Sequence, residues 1–212
     1  MTRIALIRHF PTDWNLEARL QGRTDRRLTD EARSKLAGLA LPPDWADAEI
    51  VSSPLSRAAE TATILAQGRR IRLDPRLVEI SWGAWEGMRA ADLMADPASG
   101  FRPTHEIGWT DKAPGGESAA EAWARAKPAL ARIVRDGRPA VLVCHKALMR
   151  VVLGMAWNWR HPEGGLPPIK RARLYPLTLR GDGQPAEPGE PVRLIPREVP
   201  PASDAMPREG RA

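Results

Sequence analysis

The chain has 212 residues, of which 42% are apolar and 27% are charged, a composition typical of one globular domain with some additional chain. It contains no run of 18 apolar residues, which excludes a transmembrane helix, and its one cysteine, Cys144, excludes an intramolecular disulfide and a cysteine-based zinc site. The first residues, MTRIALIRHF, lack the long apolar core of a signal peptide. We therefore expect a cytoplasmic protein.

The net charge of +6 comes from 32 basic and 26 acidic residues, and the basic residues are dispersed along the chain. Because they form no run of five or more, we expect no nucleic-acid partner and no membrane partner, and a small anionic substrate accounts for the charge equally well. The four histidines show neither HxH nor HExxH spacing. The sequence thus predicts no metal site and no cofactor, and it leaves open whether the protein is a monomer or a homodimer.

Short apolar runs and helical spacings alternate along the first third of the chain. Ser53 is the expected N-cap of the second helix in this part, and Pro54 is its expected first residue. The predicted elements are a strand at 3–8, a polar loop at 11–25, a helix from 28 onward with Thr29 as its cap, a strand at 48–52, a helix from 53 to 68 and a weak strand at 71–73.

The rest of the chain repeats this alternation after an irregular stretch at 88–116, which we interpret as an excursion or lid. Pro128 should kink or split the helix in which it lies, and Pro176 marks its strand as an edge strand, since proline has no N–H to donate. The predicted elements are a helix from 118 to about 135 that begins with the capping box of Ser118 and Glu121, a strand at 140–144, a helix from 145 to about 157 and a strand at 174–179.

The composition changes near residue 180, and this change predicts the domain organisation. Residues 1–180 form one predicted domain, which includes the excursion. Residues 181–212 hold seven prolines and four glycines. We expect them to be a Pro/Gly-rich C-terminal extension that is loosely ordered, except for one short strand at 192–195.

The alternation of strands and helices predicts an α/β fold, a three-layer α/β/α sandwich with a mostly parallel central sheet. Ligands of such sheets bind beyond the carboxyl ends of the strands. Three predicted strands end at Arg8 and His9, at Ser53 with Arg57 nearby, and at His145. We therefore expect these side chains to lie close together.

These residue types suit phosphoryl chemistry. The fork of donors on arginine matches phosphate oxygens, and a histidine nitrogen can attack phosphorus to form a covalent intermediate. A second histidine, if it stays protonated, could stabilise the transition state. The predicted helix after Ser53 would point its first N–H groups toward the same region.

Six segments between residues 3 and 150 resemble, in order, the motifs of the histidine phosphatase superfamily, the phosphoglycerate mutase-like family. They cover about 70% of the chain. The segments are Leu6-Ile7-Arg8-His9 with Thr12 and Asn15; Gln21-Gly22-Arg23 with Leu28-Thr29; Ser52-Ser53-Pro54-Leu55-Ser56-Arg57-Ala58 with Glu60-Thr61-Ala62; Leu77, Glu79 and Trp85-Glu86-Gly87; Gly115-Gly116-Glu117-Ser118; and His145 with Arg150.

The resemblance implies a role for each matching residue. His9 would be the nucleophile that becomes phosphohistidine, and Arg8, Arg57 and His145 would form the phosphate pocket. Glu79 would be the general acid that protonates the leaving alcohol and then the base for the hydrolytic water. The resemblance also implies that no metal takes part in the reaction.

Five further residues are candidates for binding the phosphoryl group or the rest of the substrate. Asn15 belongs to the first motif, and Gln21, Gly22 and Arg23 belong to the substrate loop that follows. Lys146 comes directly after His145 and would either contact an anion or point into solvent.

The chain departs from the family pattern at three places. Phe10 replaces the usual glycine after the nucleophile, where it could restrict the pocket or force a local change in the backbone. Cys144 precedes His145 where small residues are usual, and Lys146 follows it where glycine is common. These departures affect the predicted substrate more than the predicted chemistry.

Two other residues compete for the roles of acid and nucleophile. Glu86 competes with Glu79 for the role of the acid, and we expect Glu86 to be structural. The segment from Cys144 to Arg150 satisfies the Cys-x5-Arg pattern of cysteine-dependent phosphatases, but it has no glycine between these residues and no Ser or Thr after Arg150. We therefore reject a cysteine nucleophile.

The sequence thus predicts a metal-independent phosphatase that hydrolyses a small phosphate monoester of a metabolite through phosphohistidine on His9. A second possibility is phosphoryl transfer of the phosphoglycerate mutase type. Family mutases usually carry a longer insertion between the acid and the second histidine. Here His145 follows Glu79 by only 66 positions, which favours the phosphatase. A phosphoprotein or phosphohistidine phosphatase also remains possible. A non-catalytic module that binds phosphate would be expected to lack His9 or Glu79, and both are present.

Overall fold

The computed structural model describes residues 1–102, 108–156 and 168–198. The strands of this part are β1 (Thr2–Arg8), β2 (Leu39–Ala40), β3 (Glu49–Ser52), β4 (Ile71–Leu73), β5 (Ala140–Cys144), β6 (Arg173–Leu179), β7 (Pro185–Ala186), β8 (Val192–Arg193) and β9 (Ile195–Pro196). The helices are α1 (Asp13–Leu16), α2 (Asp30–Ala37), α3 (Ser56–Ala66), α4 (Ala90–Ala95), α5 (Ala119–Asp136) and α6 (Lys146–Ala156). Short 3₁₀ turns lie at Pro43–Trp45, Pro75–Leu77, Gly83–Trp85 and Pro97–Ser99.

The central sheet has the strand order β4-β3-β5-β1-β6-β7, and β8 also pairs with β6. The strands β1, β3, β4 and β5 are mutually parallel, whereas β6 runs antiparallel to β1. In the register of the sheet, Val143 is opposite both Ile7 and Ser52. The carboxyl ends of the three central strands are therefore side by side.

Alternation of side chains along the strands gives the sheet two buried faces. Ile4 and Leu6 of β1 pack against the cluster that contains α5 and α6, while Ala5 and Ile7 pack against the cluster that contains α2 and α3. All residues of β5 are buried, as expected for a strand between two helical layers. The predicted α/β/α sandwich with a mainly parallel sheet is confirmed.

The helix caps confirm two predicted starts and correct a third. Thr29 caps α2 as predicted, with its side chain accepting from Ala32 N. Ser118 and Glu121 form the predicted capping box of α5. The predicted start at Ser53–Pro54 is wrong, because α3 begins at Ser56. The Ser53 N–H instead continues the sheet by donating to the Val143 carbonyl, and Asp25 accepts from the N–H and the hydroxyl of Ser56. The first turn of α3 is thus bonded to a carboxylate of the chain itself.

Two predictions that rested on proline are also corrected. The helix α5 runs from Ala119 to Asp136 without a break, so Pro128 does not split it. The strand β6 is not the outermost strand, because β7 and β8 pair with its outer side. Pro176 is tolerated there because its carbonyl accepts from Gly189 on that outer side, so its missing N–H faces away from β1.

Three segments that were predicted to be irregular contain regular structure. The loop at 11–25 contains α1, which Thr12 caps. The excursion contains α4, whose Leu93 packs with Trp85 and Ala113. The described part of the extension, residues 181–198, forms β7, β8 and β9, of which β9 pairs with β2. Residues 103–107, Trp157 and the rest of the extension lie outside the described residues.

Candidate active site

Two histidines meet at the carboxyl ends of the central strands. His9 follows β1 and His145 follows β5, and the His9 N–H donates to the Cys144 carbonyl at 3.0 Å. Their ring centroids are 5.2 Å apart, and both side chains are buried. The parallel register therefore brings together two residues that are far apart in the sequence, as predicted.

The ring of His9 has a fixed orientation. Its Nδ1 lies 2.6 Å from the Phe10 carbonyl oxygen. Because a carbonyl only accepts, Nδ1 carries the proton and Nε2 keeps its lone pair. Burial and then the positive charges of Arg57 and Arg8 hold the pKa of His9 well below its usual value. The neutral ring is the form that can attack phosphorus.

His145 lies in a similar electrostatic environment. Its Nε2 is 2.9 Å from the Ser53 hydroxyl oxygen. Burial, followed by the charge of Arg57 and the proximity of His9, lowers the pKa of His145 well below its usual value. These groups alone therefore favour a neutral His145 rather than the protonated form expected from the sequence. A phosphoryl dianion beside it would raise this pKa again.

Two arginines supply the positive charge. Arg57 is fully buried and donates from Nη1 to the Thr24 carbonyl at 3.1 Å and from Nη2 to the Gly22 carbonyl at 2.6 Å. Burial lowers the pKa of Arg57 and of Arg8, and the charge of Glu79 opposes this shift for both. An arginine nevertheless stays protonated in proteins, so the two guanidinium groups keep their charge.

Glu79 is buried and accepts three backbone hydrogen bonds. Its Oε1 accepts from Ile80 N and Leu148 N, both at 2.9 Å, and its Oε2 accepts from Ala147 N at 3.0 Å. Burial raises the pKa of Glu79, while the backbone donors and Arg57 oppose this effect. The carboxyl group therefore lies at the first turn of α6, directly after His145, and holds a proton more readily than an exposed glutamate.

Glu86 makes structural contacts instead. Its carboxylate accepts from the N–H groups of Arg23 and Thr24, at 2.7 and 2.8 Å, and from the Thr24 hydroxyl. These hydrogen bonds lower the pKa of Glu86 against the effect of burial. Glu86 thus fixes the loop whose carbonyls orient Arg57.

Asn15 and Gln21 are tied to each other rather than free. The Gln21 Oε1 accepts from the Thr12 hydroxyl at 2.8 Å and from Asn15 Nδ2 at 3.3 Å. Asn15 also completes the capping box of α1 with Thr12. The buried Gln21 Nε2 has no hydrogen-bond partner within the described residues.

The predicted substrate-loop residue Arg23 has an anionic partner. Its Nη2 lies 3.1 Å from Oε1 of Glu117, and Glu117 also holds Arg125 through two hydrogen bonds of 2.7 and 2.8 Å. Arg23 and Arg125 thus share the single negative charge of Glu117, and the role of Arg23 in binding substrate remains a prediction. Lys146 is exposed at the start of α6.

Phe10 does not point into the pocket. Its ring is buried in the cluster that contains α2 and α3. Its N–H donates to the Thr61 hydroxyl at 3.1 Å. Phe10 therefore anchors the backbone beside His9, and the suggestion that it restricts the pocket is not supported by its position.

Two residues that contact the site were missed by the sequence analysis. Arg171 donates from Nε to the His9 carbonyl at 3.2 Å and from Nη2 to Asn15 Oδ1 at 2.7 Å. Arg125 donates from Nη2 to the Glu79 carbonyl at 3.2 Å. Neither belongs to a motif, and the only signal for Arg171 is its place just before the strand that pairs with β1.

Gly22 is needed for close packing, and its contact with a ligand remains a prediction. A Cβ at this position would lie 2.7 Å from the Ile80 carbonyl oxygen and 2.9 Å from Trp82 N, and it would also overlap the Glu86 carboxylate. We expect Gly22→Ala to lower the free energy of unfolding by about 1–3 kcal/mol. A thermal melt should show this as about 2–4 °C in Tm per kcal/mol. Gly181→Ala, which meets no atom within 4 Å, is the control and should leave the Tm unchanged.

Cys144 is fully buried in the core cluster that contains α5 and α6. Burial raises the pKa of its thiol to about 12. Because the thiolate is the nucleophilic form, Cys144→Ser should keep turnover of an aryl phosphate within a few-fold of wild type. Steady-state kinetics of the variant test this, and loss of activity in a folded protein would assign the chemistry to Cys144.

Within the described ranges, no group of three or more His, Cys, Asp or Glu side chains could hold a metal ion. The helices in the same ranges are too short or too polar to cross a membrane.

Comparison with known proteins identifies the class to which this fold and site belong. The model of the histidine phosphatase superfamily (branch 1) matches residues 4–187. The chain therefore belongs to this superfamily. The predicted family is confirmed, and with it the phosphoryl chemistry through histidine that the superfamily defines.

The proteins to which this chain is similar fall into two groups by name, phosphatases and probable mutases. Glucosyl-3-phosphoglycerate phosphatase of Mycobacterium tuberculosis (strain CDC 1551 / Oshkosh) is 33% identical over 164 residues, which are 69% of this chain and 71% of that protein. A probable phosphoglycerate mutase, GpmB, of Enterobacter sp. (strain 638) is 34% identical over 165 residues, 73% of this chain and 76% of that protein. A mycobacterial glucosyl-3-phosphoglycerate phosphatase solved with VO3 matches with a TM-score of 0.69 at 31% identity and covers 84% of this chain and 93% of that structure.

Proposed function

We propose that the enzyme hydrolyses a small phosphorylated metabolite by attack of His9 Nε2 on phosphorus. Arg8, Arg57 and His145 hold the phosphoryl oxygens, and Glu79 donates a proton to the leaving alcohol. Glu79 then takes a proton from water, which attacks the phosphohistidine and releases inorganic phosphate. The charge of the transition state is met by the arginines and by hydrogen bonds.

The observation that carries this proposal is a set of buried donors without partners. Buried polar groups are almost always hydrogen-bonded, and an unmet one costs free energy. Five side-chain atoms of the described residues are buried without a partner, and four of them belong to predicted site residues. The four are Arg8 Nε, Gln21 Nε2, Arg57 Nε and His145 Nδ1. Phosphate oxygens are the acceptors that such a set of donors suits.

The tautomer of His145 supports the same arrangement. If the Ser53 hydroxyl donates to Nε2 across the 2.9 Å contact, Nδ1 carries the ring proton. That buried Nδ1–H can then donate a hydrogen bond to a phosphoryl oxygen while the His145 ring is still neutral.

The relatives support a second candidate, phosphoryl transfer of the mutase type, because one group of them is named probable phosphoglycerate mutase. Both reactions begin with the same phosphohistidine. They differ in whether water or a second hydroxyl receives the phosphoryl group. We favour hydrolysis because the segment from Glu79 to His145 is short.

Hydrolysis of p-nitrophenyl phosphate in the presence of EDTA tests the proposal, with conversion of 3-phosphoglycerate to 2-phosphoglycerate assayed in parallel. We expect release of phosphate that survives chelation, and little mutase activity. Loss of hydrolysis with EDTA and rescue by one divalent metal would contradict the metal-independent route. Conversion between phosphoglycerates faster than phosphate release would favour the mutase.

The domain limits, the cytoplasmic location, and the choice between monomer and homodimer remain predictions from the sequence.

A further inference from the structure

Three basic side chains lie beside the proposed phosphate pocket without a part in it. They are Lys146, Arg150 and Arg171, which we call the outer cluster. Lys146 is the first residue of α6, immediately after His145, and Arg150 follows one helical turn later on the same side of the helix. Arg171 reaches the site from the segment before β6.

Arg171 is held in place at the edge of the pocket. It donates to the His9 carbonyl at 3.2 Å through Nε and to Asn15 Oδ1 at 2.7 Å through Nη2. Both acceptors are neutral. These contacts fix the guanidinium next to the proposed nucleophile and leave its positive charge uncompensated.

The outer cluster has no anionic partner in the part of the chain that the structure describes. Arg23 and Arg125 both pair with Glu117, and Arg72 pairs with Glu49, but no ion pair among the described residues involves Lys146, Arg150 or Arg171. The outer cluster therefore lacks the neighbouring carboxylate that these other arginines have.

Lys146 lies within the electrostatic reach of the other two charges. After burial, the charges of Arg8, Arg150 and Arg171 lower the pKa of Lys146, and the opposing effect of Glu79 is the weakest. Burial and the charge of Arg8 lower the pKa of Arg171 to about 10. Such a group of like charges is unfavourable unless an anion joins it.

The phosphoryl group alone does not account for so many cations. A phosphate monoester carries a charge of about −2 at pH 7, which Arg8 and Arg57 already match. The outer cluster adds three positive charges on the side of the pocket where Lys146 reaches solvent. We propose that Lys146, Arg150 and Arg171 form a subsite for a second anionic group of the substrate, a carboxylate or a second phosphate.

This inference rests on the proposed function, because it assigns the substrate of the same site. Its test uses two pairs of substrates that differ mainly in the second anion. One pair is 3-phosphoglycerate against glycerol 3-phosphate, which differ in a carboxylate. The other is fructose 1,6-bisphosphate against fructose 6-phosphate, which differ in a phosphate. The readout is the ratio of kcat/KM within each pair, which cancels any general change in activity.

In the wild type, we expect kcat/KM for the doubly anionic member of at least one pair to be about 10- to 100-fold higher. This is the effect expected from hydrogen bonds to a charged group. Lys146→Met should lower this ratio by about tenfold, and Arg150→Met should lower it as well. Arg132→Met is the control, because it removes the same charge at a distant place. Arg132 lines a separate cavity together with Glu49 and Ile71, which lie at the amino ends of β3 and β4. This variant should leave the ratio unchanged.

The pair that shows the preference identifies the second anion as carboxylate or phosphate. Ratios near one in both pairs, in an enzyme that hydrolyses p-nitrophenyl phosphate, would overturn the subsite while leaving the proposed function intact. An equal fall of the ratio in Arg132→Met would also overturn it, since the effect would then be one of net charge. No hydrolysis of any ester would instead contradict the proposed function.

Discussion

Replacing His9 by alanine should lower turnover of both aryl and alkyl phosphates by several orders of magnitude, because it removes the covalent route. The 2.6 Å contact between Nδ1 and the Phe10 carbonyl presents Nε2 as the attacking atom, and the lowered pKa of His9 keeps that atom unprotonated. The measurement is kcat with p-nitrophenyl phosphate, together with trapping of a phosphoenzyme in the wild type.

The His9→Ala protein should still fold and bind vanadate, since Arg8, Arg57 and His145 remain. A Tm close to that of the wild type, together with vanadate binding, separates loss of the nucleophile from loss of the pocket. Turnover within tenfold of wild type would show that another group attacks phosphorus.

Replacing Glu79 by glutamine should cut turnover of an alkyl phosphate by about 10²–10⁴-fold, the range for a positioned proton donor. An alkoxide is a poor leaving group and needs the proton, whereas p-nitrophenolate leaves without one. The loss should therefore be much smaller with p-nitrophenyl phosphate. Comparing kcat/KM for the two esters gives the leaving-group dependence, because this ratio reports the steps up to release of the alcohol and not the later hydrolysis of phosphohistidine, in which Glu79 serves both esters alike.

The variant Glu79→Gln also perturbs the local structure, and the comparison of esters distinguishes this effect from loss of the proton donor. Both carboxylate oxygens accept backbone hydrogen bonds, so the amide nitrogen of glutamine would face the donor of Ala147 or those of Ile80 and Leu148. Such damage would affect both esters alike. Glu86→Gln is the matched control, because it should loosen the loop around Arg57 and reduce both activities equally. If Glu86→Gln alone shows the leaving-group dependence, the acid is Glu86.

The pH profile of kcat/KM for the alkyl ester follows from the same two residues. Glu79 must be protonated, so activity should fall as the pH rises through its raised pKa. His9 must be neutral to attack phosphorus, so activity should also fall when His9 becomes protonated. Because the pKa of His9 is lowered, this acidic decline should occur well below the usual pKa of histidine. Activity should therefore favour the acidic range, and Glu79→Gln should remove the alkaline decline.

Residues within local motifs could be predicted from the sequence because their partners are near them or lie in register across the sheet. The capping box of Ser118 and Glu121 needs only a spacing of three. The meeting of His9 with His145 follows from the rule that parallel strands end at one edge. Glu79 could be assigned from its motif, although its hydrogen bonds to α6 could not.

Contacts without a local signal could not be predicted. Arg171 lies 162 positions from His9, and nothing in the segment before β6 indicates that it contacts the pocket. The start of α3 was misplaced because Ser53 and Pro54 carry a typical cap signal. The competing bonds, from Ser53 to Val143 and from Ser56 to Asp25, come from distant parts of the chain.

The short strands of the C-terminal extension have a consequence for the solubility of the folded chain. The outer side of β6 would otherwise present a row of free N–H and carbonyl groups, which is a template for pairing with a second molecule. β7 covers this side at Thr178 and Leu179, β8 covers it at Arg173 and Leu174, and Gly189 bonds to Pro176 between them. The segment after residue 180 thus shields the sheet against edge-to-edge aggregation, and a shortened chain that ends at β6 would lose that shield.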